Sequence, residues 1–166
     1  MKQLFTLTII ILTFILFSGC QNAMSVFKDT DSKYEIGLQH TKVKPIVYKN
    51  ETKAIINATY LNSVDKSKWN NNDENFLIGI YISEDNEIEN TKFIKNSRYK
   101  LSLNKKKYSN MKRISNDDKL YKHIPLKNPW ARYYIISFKK DKEKKILNLE
   151  YINPIFGKVE MPFEKE

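Results

Sequence analysis

The run FLIGIYI, Phe76–Ile82, is apolar from end to end. Seven residues are too few for an ordinary helix, and isoleucine and aromatics favour a pleated surface. A strand with no polar face is buried on both sides, so this run predicts a central strand of a sandwich. Around it the period is two. Ala54–Asn62 places Ala54, Ile56, Ala58 and Tyr60 on one face, with Asn57 and Thr59 on the other. Downstream, Tyr99, Leu101 and Leu103 alternate with Lys100, Ser102 and Asn104.

The same alternation predicts further strands towards both ends. Tyr34, Ile36 and Leu38 read as a half-buried strand. Ile46–Tyr48 follows Pro45 and reads as a short edge segment, because proline cannot donate to a ladder. Tyr133–Lys139 turns its Tyr134, Ile136 and Phe138 one way. Ile146–Tyr151 is expected to pair with it as a hairpin across the charged turn Lys140–Lys144, with Leu147, Leu149 and Tyr151 inward. Val159, Met161 and Phe163 form a last strand, and Pro162 inside it demands an edge. Asp65–Asn75 and Ser83–Asn90 read as polar loops. Thr91–Ser97 and Met111–Leu126 carry no clear period, apart from one possible helical turn near Asp117–Tyr121.

The expectation is an all-β, antiparallel β-sandwich of seven to eight strands occupying residues 33–166. In strand count it resembles the immunoglobulin and fibronectin type III architecture. The Cys–Trp–Cys hallmark of that family is absent, since the chain has one cysteine. A lipocalin-like or other small barrel is the competing fold, which four glycines in 166 residues disfavour.

The start of the chain has another character. Lys2 is followed by Leu4–Phe17, apolar apart from Thr6, Thr8 and Thr13. That is short of the ~20 residues a bilayer span needs, and fits the apolar core of an export signal. Ser18 and Gly19 then precede Cys20. This segment resembles the lipobox of bacterial lipoproteins, with Phe17 in place of the usual leucine. The resemblance implies a diacylglyceryl thioether on Cys20, cleavage after Gly19, and a membrane-anchored protein. It divides the chain into a signal peptide, 1–19, a lipidated tether, 20–32, and the β-domain. Gln21, which is not aspartate, implies outer-membrane sorting in a Gram-negative cell; otherwise the anchor sits in the plasma membrane. With Cys20 committed to lipid, the domain has neither a disulfide nor a cysteine nucleophile.

Composition narrows the function. Lys and Arg number 29 against 19 Asp and Glu, a formal net charge of +10, of which signal cleavage removes only Lys2. A basic body beside an anionic membrane or glycan gains attraction that salt weakens. His40 and His123 are too few for a metal centre. Glu84, Asp85, Glu87 and Glu89 lack the register and glycine of a calcium loop. No nucleophile elbow, zincin or phosphate-loop motif occurs. The expectation is therefore a non-enzymatic binding module with no cofactor beyond the covalent lipid. Its partner would be another envelope protein, a glycan or a surface, and export takes nucleic acid out of reach. Trp69 in its Asn-rich loop and Trp130 with nearby Arg132 and Lys127 are the candidate anchors. The alternative is a carrier or sensor of an anionic small molecule or lipid, held in a cavity.

Overall fold

The computed structural model describes residues 32–83 and 99–165. Cys20 and the export signal lie outside these residues, as do Glu84–Asn90 and the ambiguous Thr91–Ser97. The described residues form eight strands in two antiparallel sheets, an all-β sandwich. They belong, but for Ser32, to one compact unit, Lys33–Glu166. The larger sheet has the order β1-β2-β3-β6-β5, formed by Thr41–Tyr48, Glu51–Tyr60, Asp73–Ile82, Arg132–Lys139 and Asn110–Ile114. The smaller sheet has the order β4-β7-β8, formed by Lys100–Leu103, Ile146–Asn153 and Gly157–Glu164.

With β3 set aside, these orders are those of a constant-type immunoglobulin domain, four strands against three. The additional strand β3 is the FLIGIYI run, inserted between β2 and β6. It is antiparallel to both, so β6 runs in the same direction as β2. In the immunoglobulin arrangement the corresponding strands are opposed. The insertion thus keeps the neighbour order and inverts the polarity beyond it.

The period-two faces pack as their pattern demands. Ala54, Ile56, Ala58 and Tyr60 of β2 meet Leu147, Leu149 and Tyr151 of β7 and Val159, Met161 and Phe163 of β8 in the main core. The small Ala54 and Ala58 leave room for rings. Phe76 lies 5.1 Å from Tyr60, 5.2 Å from Phe163 and 6.0 Å from Phe138, centroid to centroid, while Tyr99 stacks on Tyr151 at 5.1 Å. Interiors filled in this way follow from large apolar side chains at near-crystalline density. The two prolines that lie within described strands fall at sheet edges, Pro45 in β1 and Pro162 in β8. On β1 the inward positions include Lys42 and Lys44, and Lys42 Nζ reaches 5.4 Å from the Phe163 ring. Inward-pointing lysine and proline together blunt an edge against further pairing.

Three expectations are corrected. Ser32–Gln39 is a helix, α1, where a strand was expected. Tyr34 and Leu38 stand four apart and share a helix face as readily as a strand face. Gly37, buried against Pro125, and the Thr41 hydroxyl bonded to the Gly37 carbonyl at 2.6 Å close the helical turn. The loop Asp65–Asn75 contains a helical turn, α3 at Lys66–Trp69, preceded by α2 at Leu61–Val64. Asp65 caps α3 by accepting from the Lys68 N–H at 3.2 Å. Finally, β6 and β7 do not form a hairpin. Both edges of β6 are already taken, by β3 and β5, so the chain crosses to the other sheet and β7 pairs with β4 and β8.

Candidate functional site

The outer face of the larger sheet is not left to water. A second cluster of Leu61, Leu77, Ile114, Ile124 and Tyr133 lies on it. Residues 115–131, between β5 and β6, cross this face as a strap, with a single-turn 3-10 helix at Lys119–His123. Asp118 starts that turn by accepting from the Leu120 N–H at 2.9 Å.

One transverse row of residues runs across this face, Val43, Asn57, Gly79, Tyr133 and Ile114, one from each strand in sheet order, and Asn57 and Tyr133 of that row bond to the strap. Asn57 is 3% exposed and donates its amide to the carbonyls of Pro125 at 3.0 Å and Leu126 at 2.9 Å. Gly79 faces Tyr133 directly. A Cβ there would lie 2.3 Å from the ring, so only glycine lets the ring lie across β3. The Tyr133 hydroxyl accepts from the Asn128 N–H at 2.7 Å. Tyr121 packs edge-on against Tyr133 at 6.1 Å, and Lys127 Nζ sits 4.4 Å from the Tyr121 ring centre. Burial raises the Tyr133 phenol above its ordinary pKa, and the Asn128 bond opposes that in part.

The strap leaves two large apolar side chains exposed. Trp130 is 79% exposed and Leu126 55% exposed. Leu126 holds φ at +48°, an uncommon conformation for a bulky side chain. Its carbonyl is drawn in to Asn57 while its side chain projects. Asn128 accepts from the Trp130 N–H at 2.9 Å, which fixes the turn leading to the indole. Lys119, Lys122 and Lys127 of the same strap are also exposed. The strap thus offers two exposed apolar side chains and three exposed cations.

The residues singled out from sequence fall in different places. Trp130 is at the tip. Trp69 is half-buried and packs against the second cluster, with its carbonyl accepting from Asn62 at 2.8 Å and Asn75 at 3.1 Å. Arg132 stands opposite Ile80, on the sheet face away from the strap, so it is not brought to Trp130. His40 closes α1 and His123 ends the 3-10 turn. Among the described residues no group of three or more His, Cys, Asp or Glu is placed to hold a metal. Leu126 gave little warning in the sequence. The available signal was the pair Pro125 and Pro129, which brackets a tight turn around it.

Two other polar features have a different character. Glu74 is fully buried in β3, where it accepts from the Tyr60 hydroxyl at 2.6 Å and pairs with Lys165 at 2.7 Å. Burial, then this carboxylate, pushes the Tyr60 phenol well above its ordinary range. That is opposite to what a general base or nucleophile needs. The trio ties the end of β8 to β3. On the outer face of the smaller sheet lies a cleft of about 860 Å³. There Glu150 and Glu160 face each other, and Lys158 spans them at 3.7 and 2.5 Å. Lys158 lowers the Glu160 pKa and has its own raised in return, so these charges largely answer one another.

No protein-family description, curated protein or solved structure matches the chain.

Proposed function

We propose that this protein is a lipid-anchored, non-enzymatic recognition module of the cell envelope. Cys20 carries the covalent lipid, residues 20–32 form the tether, and the strap face makes the contact. Its partner is a component of the envelope: a protein, a glycan or a membrane surface. The observation that carries this reading is the exposed pair Trp130 and Leu126 on a strap pinned from beneath by Asn57 and Tyr133. An aromatic held in place binds without losing much freedom. The carrier alternative needs room between the sheets, and Phe76, Phe138, Phe163 and Tyr151 occupy that space.

A photo-crosslinking residue placed at Trp130 in intact cells tests the reading. Adducts should form there and not from Ile155, which is 61% exposed in the turn between β7 and β8. Trp130→Ala should abolish partner capture and shift stability by less than about 0.5 kcal/mol, as for a surface position. Equal labelling from both sites, or none from Trp130, rejects the strap face as the contact.

A further inference from the structure

The strap lies beside the point where the chain enters the domain. Helix α1 begins at Ser32, and a Cβ on its Gly37 would lie 2.8 Å from the Pro125 ring. Ile36, 38% exposed, neighbours that contact on one side as Leu126 does on the other. Helix α1, where the described domain begins, therefore packs against the strap. Twelve residues, Gln21–Ser32, reach at most about 40 Å.

We propose that the strap face docks on an anionic lipid bilayer, with Trp130 and Leu126 entering the headgroup region and Lys119, Lys122 and Lys127 pairing with lipid phosphates. This rests on the tethered-module reading and names the partner of that same face. The chemistry of the patch favours a bilayer over a protein. Protein interfaces surround a sizeable apolar centre and deplete charge from it. Here two exposed apolar side chains share one strap with three exposed lysines, which suits a uniform anionic plane. Indole prefers the membrane–water boundary, where its ring is buried and its N–H stays wet. Lysine stems lie along apolar surface while their ammonium groups reach phosphate. Of the strap's two carboxylates, Asp118 is turned back onto the Leu120 N–H, and the exposed Asp117 adjoins it. Leu126 holds φ at +48° with its side chain already exposed.

The test uses two preparations. The unit Lys33–Glu166 contains every residue of both cores and so carries its own interior. In a Trp69→Phe background, leaving Trp130 as the sole indole, it is mixed with phosphatidylcholine vesicles with and without phosphatidylglycerol. Brominated lipid should quench Trp130 only when phosphatidylglycerol is present, and high salt should reverse the quenching. Changing the three lysines to glutamine should weaken vesicle binding on the order of 100-fold, from roughly fivefold each. If Trp69→Phe disturbs folding, the same quenching is read as the difference between wild type and Trp130→Phe. Absent quenching, or quenching indifferent to lipid charge, overturns the docking. So does a crosslink from position 130 to a protein or glycan alone, although the recognition reading survives it. The second preparation is the full chain from cells, whose mass at Cys20 reports the lipid. A bare cysteine there sinks the anchor whatever the vesicles show.

Discussion

Tyr60 joins the main core through its ring and a buried carboxylate through its hydroxyl. Its phenol keeps its proton in the folded protein far above the pH at which an exposed tyrosine loses it, near 10. The unfolded chain releases that proton first, so above pH about 10 the unfolded state binds fewer protons and stability falls as pH rises. Below that pH the contribution is fully present. The slope from one such group is at most about 1.4 kcal/mol per pH unit. Tyr133 is shifted the same way and adds to it. Urea midpoints taken at rising pH should therefore fall less steeply for Tyr60→Phe than for wild type. Lysine deprotonation acts on both proteins and cancels in the comparison. An unchanged slope would mean that Tyr60 ionises in the native state. Little of this was legible in the sequence. Tyr60 is identifiable as inward from its alternation with Thr59, but its partners Glu74 and Lys165 are distant in the chain. Gly79 is similar. Within an apolar run it signals a close approach without saying that Tyr133 is what approaches.

At the scale of elements, alternation revealed inside and outside and was blind to what covers the outside. Asn57 and Thr59 were correctly placed on the second face of β2, where polar residues imply solvent. That face is instead roofed by the strap, and Asn57 is buried because its amide answers two strap carbonyls. The segment that forms the roof combines a 3-10 turn with two prolines, so no single period marks it. FLIGIYI carried the one legible hint, since a strand apolar on both faces needs a cover on both. The helix α1 was missed because three alternating apolar residues fit either period, and only the contact with Pro125 decides between them. The β6–β7 hairpin was misassigned because a short charged link suits both a turn and a crossing between sheets. The strap's dependence on Asn57 is open to test. Asn57→Leu keeps the branched heavy-atom shape and strands two carbonyls, so it should cost about 2–4 kcal/mol in urea unfolding. Amide exchange in residues 119–131 should quicken by more than this global loss explains, because the pin is local. Uniform acceleration over the whole domain would show the strap to be held by the second core alone.

For the molecule as a whole, a lipid on Cys20 would serve a domain whose proposed hold on a surface is weak. Trp130, Leu126 and three lysines would give a salt-sensitive contact that unanchored protein leaves readily. A single acyl chain is likewise marginal, whereas two chains hold stably. In the proposed arrangement a lipid on Cys20 would keep the strap within reach of the bilayer, and the contact would become effectively intramolecular. The lipid would then supply residence and the strap orientation. Replacing Cys20 with Ser separates the two. Wild type should incorporate labelled palmitate, lose its signal peptide and sediment with membranes at low and high salt alike. Cys20→Ser should incorporate none. If the uncleaved signal is then removed by a protease engineered to cut before Gln21, the freed domain should stay with anionic membranes at low salt and leave them at high salt. Among the described residues no helix is long and apolar enough to cross a membrane. Retention at high salt after the cut would require a hold stronger than lysines and an indole provide. Palmitate labelling of the serine variant would move the lipid to another residue and, with it, the geometry that sets the strap against the bilayer.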